Sequence, residues 1–220
     1  MTLVRLAEAL LMTCSLLAAS SVAAAERLMV APLSSPCDGS PADRCLQVKA
    51  PLDLDWREQA GGIAGYAHAE GVASLLLVDG PPDGLRLVET ITLDRIPAVP
   101  SEVLAALAGT GWRLQRADPD DGLGDAWRSH GARLVVEASG GGIGGSTGCN
   151  RWNGAWKAEG DAVRIAPLAV TLRACPEPVA TLERLYLQRL GETVTVRWWG
   201  GEIELVTATG QRLLFDRLLD

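Results

Sequence analysis

At 220 residues, 48% hydrophobic and 21% charged, the chain is long enough for one or two hydrophobic cores and too apolar for a disordered tail. Its formal charge of −7 leaves nucleic-acid binding by counterion release without an electrostatic footprint, and no basic patch is visible along the chain. The N-terminus comes first, because it decides the compartment and hence the fate of the cysteines. Arg5, the apolar residues Leu10, Leu11 and Met12, the run Leu16 to Ala19, and the small residues Ala23 and Ala25 read as a cleavable secretory signal over residues 1–25. The mature chain then starts at Glu26 in the periplasm and keeps the charge of −7, since Arg5 and Glu8 leave together. A membrane-anchored lipoprotein modified at Cys14 is the alternative, but Thr13 fits the preceding position poorly and the apolar run continues past the cysteine. A membrane tether follows only if Cys14 is lipidated.

Residues 26–97 read as a small antiparallel β domain. Strands are expected over Cys45–Lys49, Ile63–Ala67, Ala73–Val78 and Leu85–Leu93, separated by Gly61-Gly62, Glu70-Gly71 and the turn from Gly80 to Gly84. The prolines of Ile96-Pro97-Ala98-Val99-Pro100 mark a linker over 98–104, where Ser101 and Glu102 open a short helical segment through Leu107. Residues 105–220 read as a second β-rich domain. Its strands are expected near Gly111–Gln115, Ala132–Ala138, Asn153–Lys157, Ala162–Ile165, Thr193–Trp198, Glu202–Val206 and Arg212–Asp216. One helix interrupts them: Val179, Leu182, Leu185, Tyr186 and Leu190 recur at helical spacing, after Pro176 and Pro178 and before Gly191. The fold class is mainly β (α+β), two small antiparallel sheets, the second a curved sheet or partial barrel with one packed helix.

Cleavage leaves Cys37, Cys45, Cys149 and Cys175, and an even number in an oxidising compartment predicts two disulfides. Four cysteines allow three connectivities; the local one pairs Cys37 with Cys45 and Cys149 with Cys175. Neither pair has the short spacing of zinc-binding cysteines, and His68 and His130 are isolated, so no metal and no cofactor is expected.

Two enzyme-like strings occur. Gly140, Gly142 and Gly145 spell a dinucleotide fingerprint, but Cys149-Asn150-Arg151-Trp152-Asn153-Gly154 follows where that chemistry needs a helix N-terminus. Gly144 to Gly148 spells a nucleophile elbow around Ser146, yet no histidine follows His130, so the hydrolase order of acid and then histidine downstream of the serine is missing. A hydrolase using Ser146 or a carboxylate pair among Glu177, Glu183, Glu202 and Glu204 is the alternative to a non-enzymatic binding protein; charged residues on strand and helix faces are more often solvated surface. Trp112, Trp127, Trp152, Trp156, Trp198 and Trp199 crowd the second domain against a single Phe215. Alternate strand residues face opposite ways, so Trp198 and Trp199 cannot both point inward. Trp152, Trp156, Trp198 and Trp199 are the candidate ligand contacts, for a small molecule, a glycan or an envelope protein.

The second domain resembles the META domain, the family that includes the HslJ heat-shock protein. Leu107, Gly109, Thr110, Trp112 and Leu114 match its opening. Gly148-Cys149-Asn150-Arg151, followed by Gly154 and Trp156, matches its most specific motif. Leu168-Ala169, Thr171 and Ala174-Cys175 resemble its second cysteine motif, Glu183 falls in its helix, and Ile203, Leu205, Gly210, Leu213 and Phe215 resemble its final hairpin. The first domain is similar to an uncharacterised domain of unknown function often found ahead of META domains, through Cys37-Asp38-Gly39, Cys45 to Lys49, Trp56, Ile63, Gly65-Tyr66 and Glu70-Gly71. The resemblance implies an envelope protein linked to stress response or antibiotic tolerance, with no enzymatic site to carry over. The residues themselves add that glycines and Asn150 suit a tight turn, which a Cys149 to Cys175 bridge would tie to the loop before the helix.

Overall fold

The computed structural model describes residues 24–218 apart from Gly39 and Ala98. The expected export signal, with Cys14, lies outside them except for its last two residues. The first sheet contains β1 (Glu26–Val30), β2 (Ser35–Cys37), β3 (Ser40–Lys49), β4 (Arg57–Gln59), β5 (Val72–Asp79) and β6 (Arg86–Arg95). Their order is β2-β3-β1-β5-β6, with β4 also on β3, and all pairs are antiparallel. Alternation builds its core: Leu28 and Val30 from β1, Leu76 and Val78 from β5, and Val48 from β3 are each at most 1% exposed. Each such side chain contributes about 1.5–3 kcal/mol by leaving water. The strand expected over Ile63–Ala67 does not form. Gly61, Gly62 and Gly65 take φ of 77°, 74° and 84°, which bends the chain too often for a ladder, and only Ala64 makes a single parallel bridge to Arg86.

The second unit begins with α1 (Pro100–Ala106), whose Val103 and Leu104 are buried in the second core rather than spanning a free linker. It continues with β7 (Gly111–Asp118), α2 (Ala126–Ser129), β8 (Arg133–Val136), β9 (Gly142–Ser146), β10 (Arg151–Glu159), β11 (Ala162–Ile165), β12 (Ala169–Val170), α3 (Val179–Gly191), β13 (Thr193–Trp198), β14 (Glu202–Thr207) and β15 (Arg212–Arg217). The order β11-β10-β9-β8-β7-β15-β14-β13, with β12 also on β10, brings the end strands β11 and β13 alongside each other without a ladder. The sheet is therefore a nearly closed barrel, and α1 lies against both β10 and β13. On α3, Leu182, Tyr186 and Leu190 share one face at four-residue spacing, and all are buried in the barrel core. Tyr186 meets Trp152 and Phe215 ring to ring at 6.1 and 6.4 Å. A bulge at Gln115, where Leu114 and Arg116 pair with the consecutive residues Phe215 and Leu214, shifts the buried set on β7 from Trp112 and Leu114 to Gln115 and Ala117.

Both local disulfides are present. Cys37–Cys45 joins β2 to β3 and Cys149–Cys175 joins the β9–β10 turn to the segment before α3, with Cα separations of 5.0 and 6.2 Å.

The two units are held together by residues 49–55 of the first lying on β14, β15 and β7 of the second. Lys49 Nζ donates to Glu202 Oε2 (2.7 Å) and to the Asp53 carbonyl (2.8 Å), while the Leu52 amide donates to Glu202 Oε1 (2.7 Å). The Lys49 and Glu202 side chains are only 2% and 5% exposed. Around this pair Arg212 donates to the Leu54 carbonyl (3.0 Å) and Arg116 to the Leu52 carbonyl (3.2 Å). Removing one member of such a pair strands the other charge away from water. Lys49→Met should therefore lower stability to urea by about 3–5 kcal/mol, and Lys49→Met with Glu202→Met should recover most of the loss. A double variant no more stable than the single one would show that the pair is not what joins the units.

Candidate functional site

The glycine-rich stretch is backbone architecture. Gly140 and Gly141 turn β8 into β9, and β9 runs into a turn and β10, so no helix N-terminus faces a ligand there. Gly148 sits at φ 90°, and a Cβ on it would collide with the His130 carbonyl. Asn150 is 2% exposed, and its side-chain amide is fully engaged. Nδ2 donates to Glu183 Oε1 (2.9 Å) and to the Arg173 carbonyl (3.1 Å); Oδ1 accepts from the Thr171 hydroxyl and the Arg173 amide, both at 2.8 Å. Glu183 on α3 also accepts from the Thr147 hydroxyl and the Asn150 amide. The motif thus ties the β9–β10 turn, residues 171–175 and α3 into one hub. Arg151 points out of it and is exposed, while a side chain on Gly154 would meet Leu168 at 2.7 Å.

The catalytic candidates are occupied otherwise. Ser146 Oγ accepts from the Gly148 amide (3.0 Å), and both ring nitrogens of His130 are buried without a hydrogen bond, so the two do not form a nucleophile–base pair. Glu183 belongs to the hub, Glu202 to Lys49, Glu204 to Arg197 (2.9 Å) and Arg212, and Glu177 accepts from the Thr181 amide. Burial pushes the His130 imidazole below its ordinary range, and nearby Glu183 opposes only part of that.

The tryptophans divide. Trp152 and Trp156 are each 3% exposed and pack in the barrel core, although Trp152 also borders a hollow with Asn153, Val170 and Thr171. Trp198 ends β13 half-buried against the same core, and its Nε1 donates to the Gly200 carbonyl (2.7 Å). Trp199 turns the other way and meets Trp56 of the first unit edge to face, with ring centroids 5.2 Å apart. Lys49 Nζ sits 5.2 Å from the Trp56 ring centre. Neither Trp56 nor Trp199 has a hydrogen bond to its indole N–H among the described residues.

These residues line an open cleft between the units. One part, about 520 Å³, is walled by Leu33, Ile96, Pro97, Val196, Trp198 and Trp199. It adjoins a part of about 390 Å³ between Leu33, Gln47, Trp56 and Trp199. Leu33 is 64% exposed there. A hollow of about 570 Å³ at the β11–β13 seam is lined instead by groups such as Glu159 and Arg164, which pair with each other. The cleft therefore offers apolar and aromatic surface edged by polar groups such as Gln47, Asp161 and Arg197, which suits an amphipathic ligand. Leu33 and Trp56 escaped the sequence reading because nothing local places either one beside Trp199.

A family model, the META domain, matches residues 105–219, leaving the first sheet outside the match. No curated protein matches the chain. Among solved structures, the chain is similar to an NMR structure of a protein from Burkholderia xenovorans, with 25% identity, a TM-score of 0.45, and 60% of this chain and 95% of that one covered. It is also similar to the crystal structure of a DUF4847 family protein from Bacteroides vulgatus, at 16% identity and a TM-score of 0.39, over 50% of this chain and 93% of that one.

The hub generates a pH dependence. The folded His130 resists protonation, whereas an unfolded histidine takes a proton near pH 6.5, so the unfolded state binds more protons as the pH falls. The stability that neutral His130 permits is complete above that value and is lost progressively below it. The urea midpoint should fall between about pH 7.5 and about pH 5, and His130→Gln should flatten that slope. An unchanged slope in the variant would assign the pH dependence to other groups.

Proposed function

The chain belongs to the META domain family through residues 105–219, and from that premise we propose that it is an exported envelope protein that binds a small amphipathic molecule or glycan in the cleft between its two units. The observation that carries the reading is the meeting of Trp56 and Trp199 from different units at an open, apolar cleft, each with an unpartnered indole N–H. A flat apolar face stacks against such rings while a hydroxyl or carbonyl accepts from their donors.

Export is part of the proposal. The signal pattern ends at Ala25 and β1 begins at Glu26, so cleavage there leaves the first sheet whole. The four cysteines of the mature chain form two disulfides, which suits an oxidising compartment. A role in stress response or antibiotic tolerance, which the family resemblance suggests, is part of the same proposal, with the cleft as the point of contact.

Titration with N-phenylnaphthylamine and with chitooligosaccharides, followed by indole fluorescence and melting temperature, tests the binding. At least one should saturate and raise the melting temperature, and Trp199→Ala should weaken it at least about tenfold, the scale of a lost aromatic anchor. No saturable response to either, or a response that survives both Trp199→Ala and Trp56→Ala, would remove the cleft as the site. A mass spectrum of the protein from periplasmic extract should give residues 26–220 less two hydrogens per disulfide. A lipid adduct on Cys14 would make it a tethered protein instead.

A further inference from the structure

The strand register assembles a charged surface that no run of sequence announces. Arg113 on β7 is paired with Arg133 on β8, Arg133 with Ser146 on β9, and Ser146 with Arg151 on β10. Directly paired residues on antiparallel strands project from the same face, at ~4.8 Å from strand to strand. All three arginines are exposed, so the row lies on the outside of the barrel. Arg173 extends it, because the hub fixes its backbone beside β10 and the Thr171 amide donates to the Arg151 carbonyl (3.0 Å). None of these four guanidinium groups has a hydrogen bond or ion pair among the described residues. At its β15 end the row meets Asp216, which accepts from Gln115 (2.8 Å).

Two further features bear on what the row meets. The neighbouring outward row is Gly111, Val135, Gly144 and Asn153, in which Leu218 lies over Gly111, Gly144 adds no side chain and Val135 is 44% exposed. Next to Arg173, Leu172 is 100% exposed, on a segment clamped by Asn150 and the Cys149–Cys175 disulfide. An apolar side chain held wholly in water beside unpaired arginines gains nothing within this chain. We propose that this face docks onto a membrane surface bearing anionic phospholipids, the four arginines meeting headgroup phosphates and Leu172 entering the acyl boundary. Guanidinium groups suit phosphates because each offers a planar pair of donors, and a soluble polyanion would leave Leu172 in water. In a chain of net charge −7 such docking depends on the local row and not on overall charge.

Flotation of the purified protein with phosphatidylglycerol–phosphatidylethanolamine vesicles, against pure phosphatidylcholine vesicles, reads the proposal without reference to the cleft. Binding should be confined to the anionic vesicles and fall as salt rises. Arg133→Gln with Arg151→Gln should reduce it about 25-fold, at about fivefold per arginine, with melting temperature no lower, because both side chains are exposed and losing Arg133 relieves its repulsion of Arg113. Leu172→Ser should weaken it while leaving its salt dependence in place. Absence of flotation, equal flotation with neutral vesicles, or indifference to the arginine substitutions would each overturn the assignment. So would inorganic polyphosphate or single-stranded DNA that competes fully while Leu172→Ser has no effect, since the row would then serve a soluble polyanion.

Discussion

The hydrogen bonds between Asn150 and Glu183 fix the second unit. A nearly closed β barrel with a helix in its core needs that helix at one height and one rotation, and apolar contacts alone permit sliding. Asn150 and Glu183 remove the freedom, because a buried amide and a half-buried carboxylate each lose their partners if α3 shifts. Asn150 also supplies both polar bonds that an otherwise exposed segment needs at Arg173, so helix, turn and loop are set together. The Cys149–Cys175 disulfide spans the same two segments and limits how far they separate in the unfolded chain. His130, pressed against Gly148 without a partner for either ring nitrogen, follows from the same packing: its space is fixed by the turn and its charge state by burial.

Between the units a different economy holds. The contact is polar at its centre, where Lys49, Glu202 and the Leu52 amide satisfy one another, and aromatic at its edge, where Trp56 meets Trp199. Polar centres specify one arrangement more strictly than they stabilise it, since a shift of one residue along β14 leaves a charge without a partner. That strictness is what gives the cleft a defined shape. Were the units free to rotate, Leu33 and Trp199 would not face a constant wall. Asp94, which lies against Gly200, supports the same alignment from β6.

Much of this architecture was legible in the sequence where the signal was local. Helix α3 announced itself by the spacing of Leu182, Tyr186 and Leu190 between Pro178 and Gly191, and the cysteine pairs by their positions. Strand Ile63–Ala67 was misread because a short apolar run bounded by glycines looks like a strand, while left-handed geometry at Gly61 and Gly62 before it and at Gly65 within it breaks the ladder. The packing of Trp152 and Trp156 was hidden for a related reason. An indole is equally suited to a core and to a ligand face, and only the closure of the barrel, with Tyr186 of α3 against Trp152 and α1 against β10, shows how far both are enclosed. The partners across the units, Lys49 with Glu202 and Trp56 with Trp199, are set by the docking of one sheet on another, about which local periodicity is silent.

The arginine row sharpens the point about what a sequence conceals. Read linearly, Arg113, Arg133, Arg151 and Arg173 are solitary cations spaced through an acidic chain, and the reasonable expectation is scattered surface charge. Register turns them into neighbours. Like charges directly opposite on adjacent strands disfavour the sheet, and the pairing of Arg113 with Arg133 is such a case, with Asp216 beside them bound to Gln115. Elsewhere several strand cations have an acidic partner: Arg197 pairs with Glu204, Arg212 with Asp118, and Arg164 and Lys157, which are directly opposite each other, share Glu159. The exception falls on the barrel strands β7 to β10, away from the β14 carboxylate that the first unit engages through Lys49. A repulsion tolerated on an uncovered face, beside an apolar side chain held in water, is accounted for most economically by an anionic surface that relieves both at once.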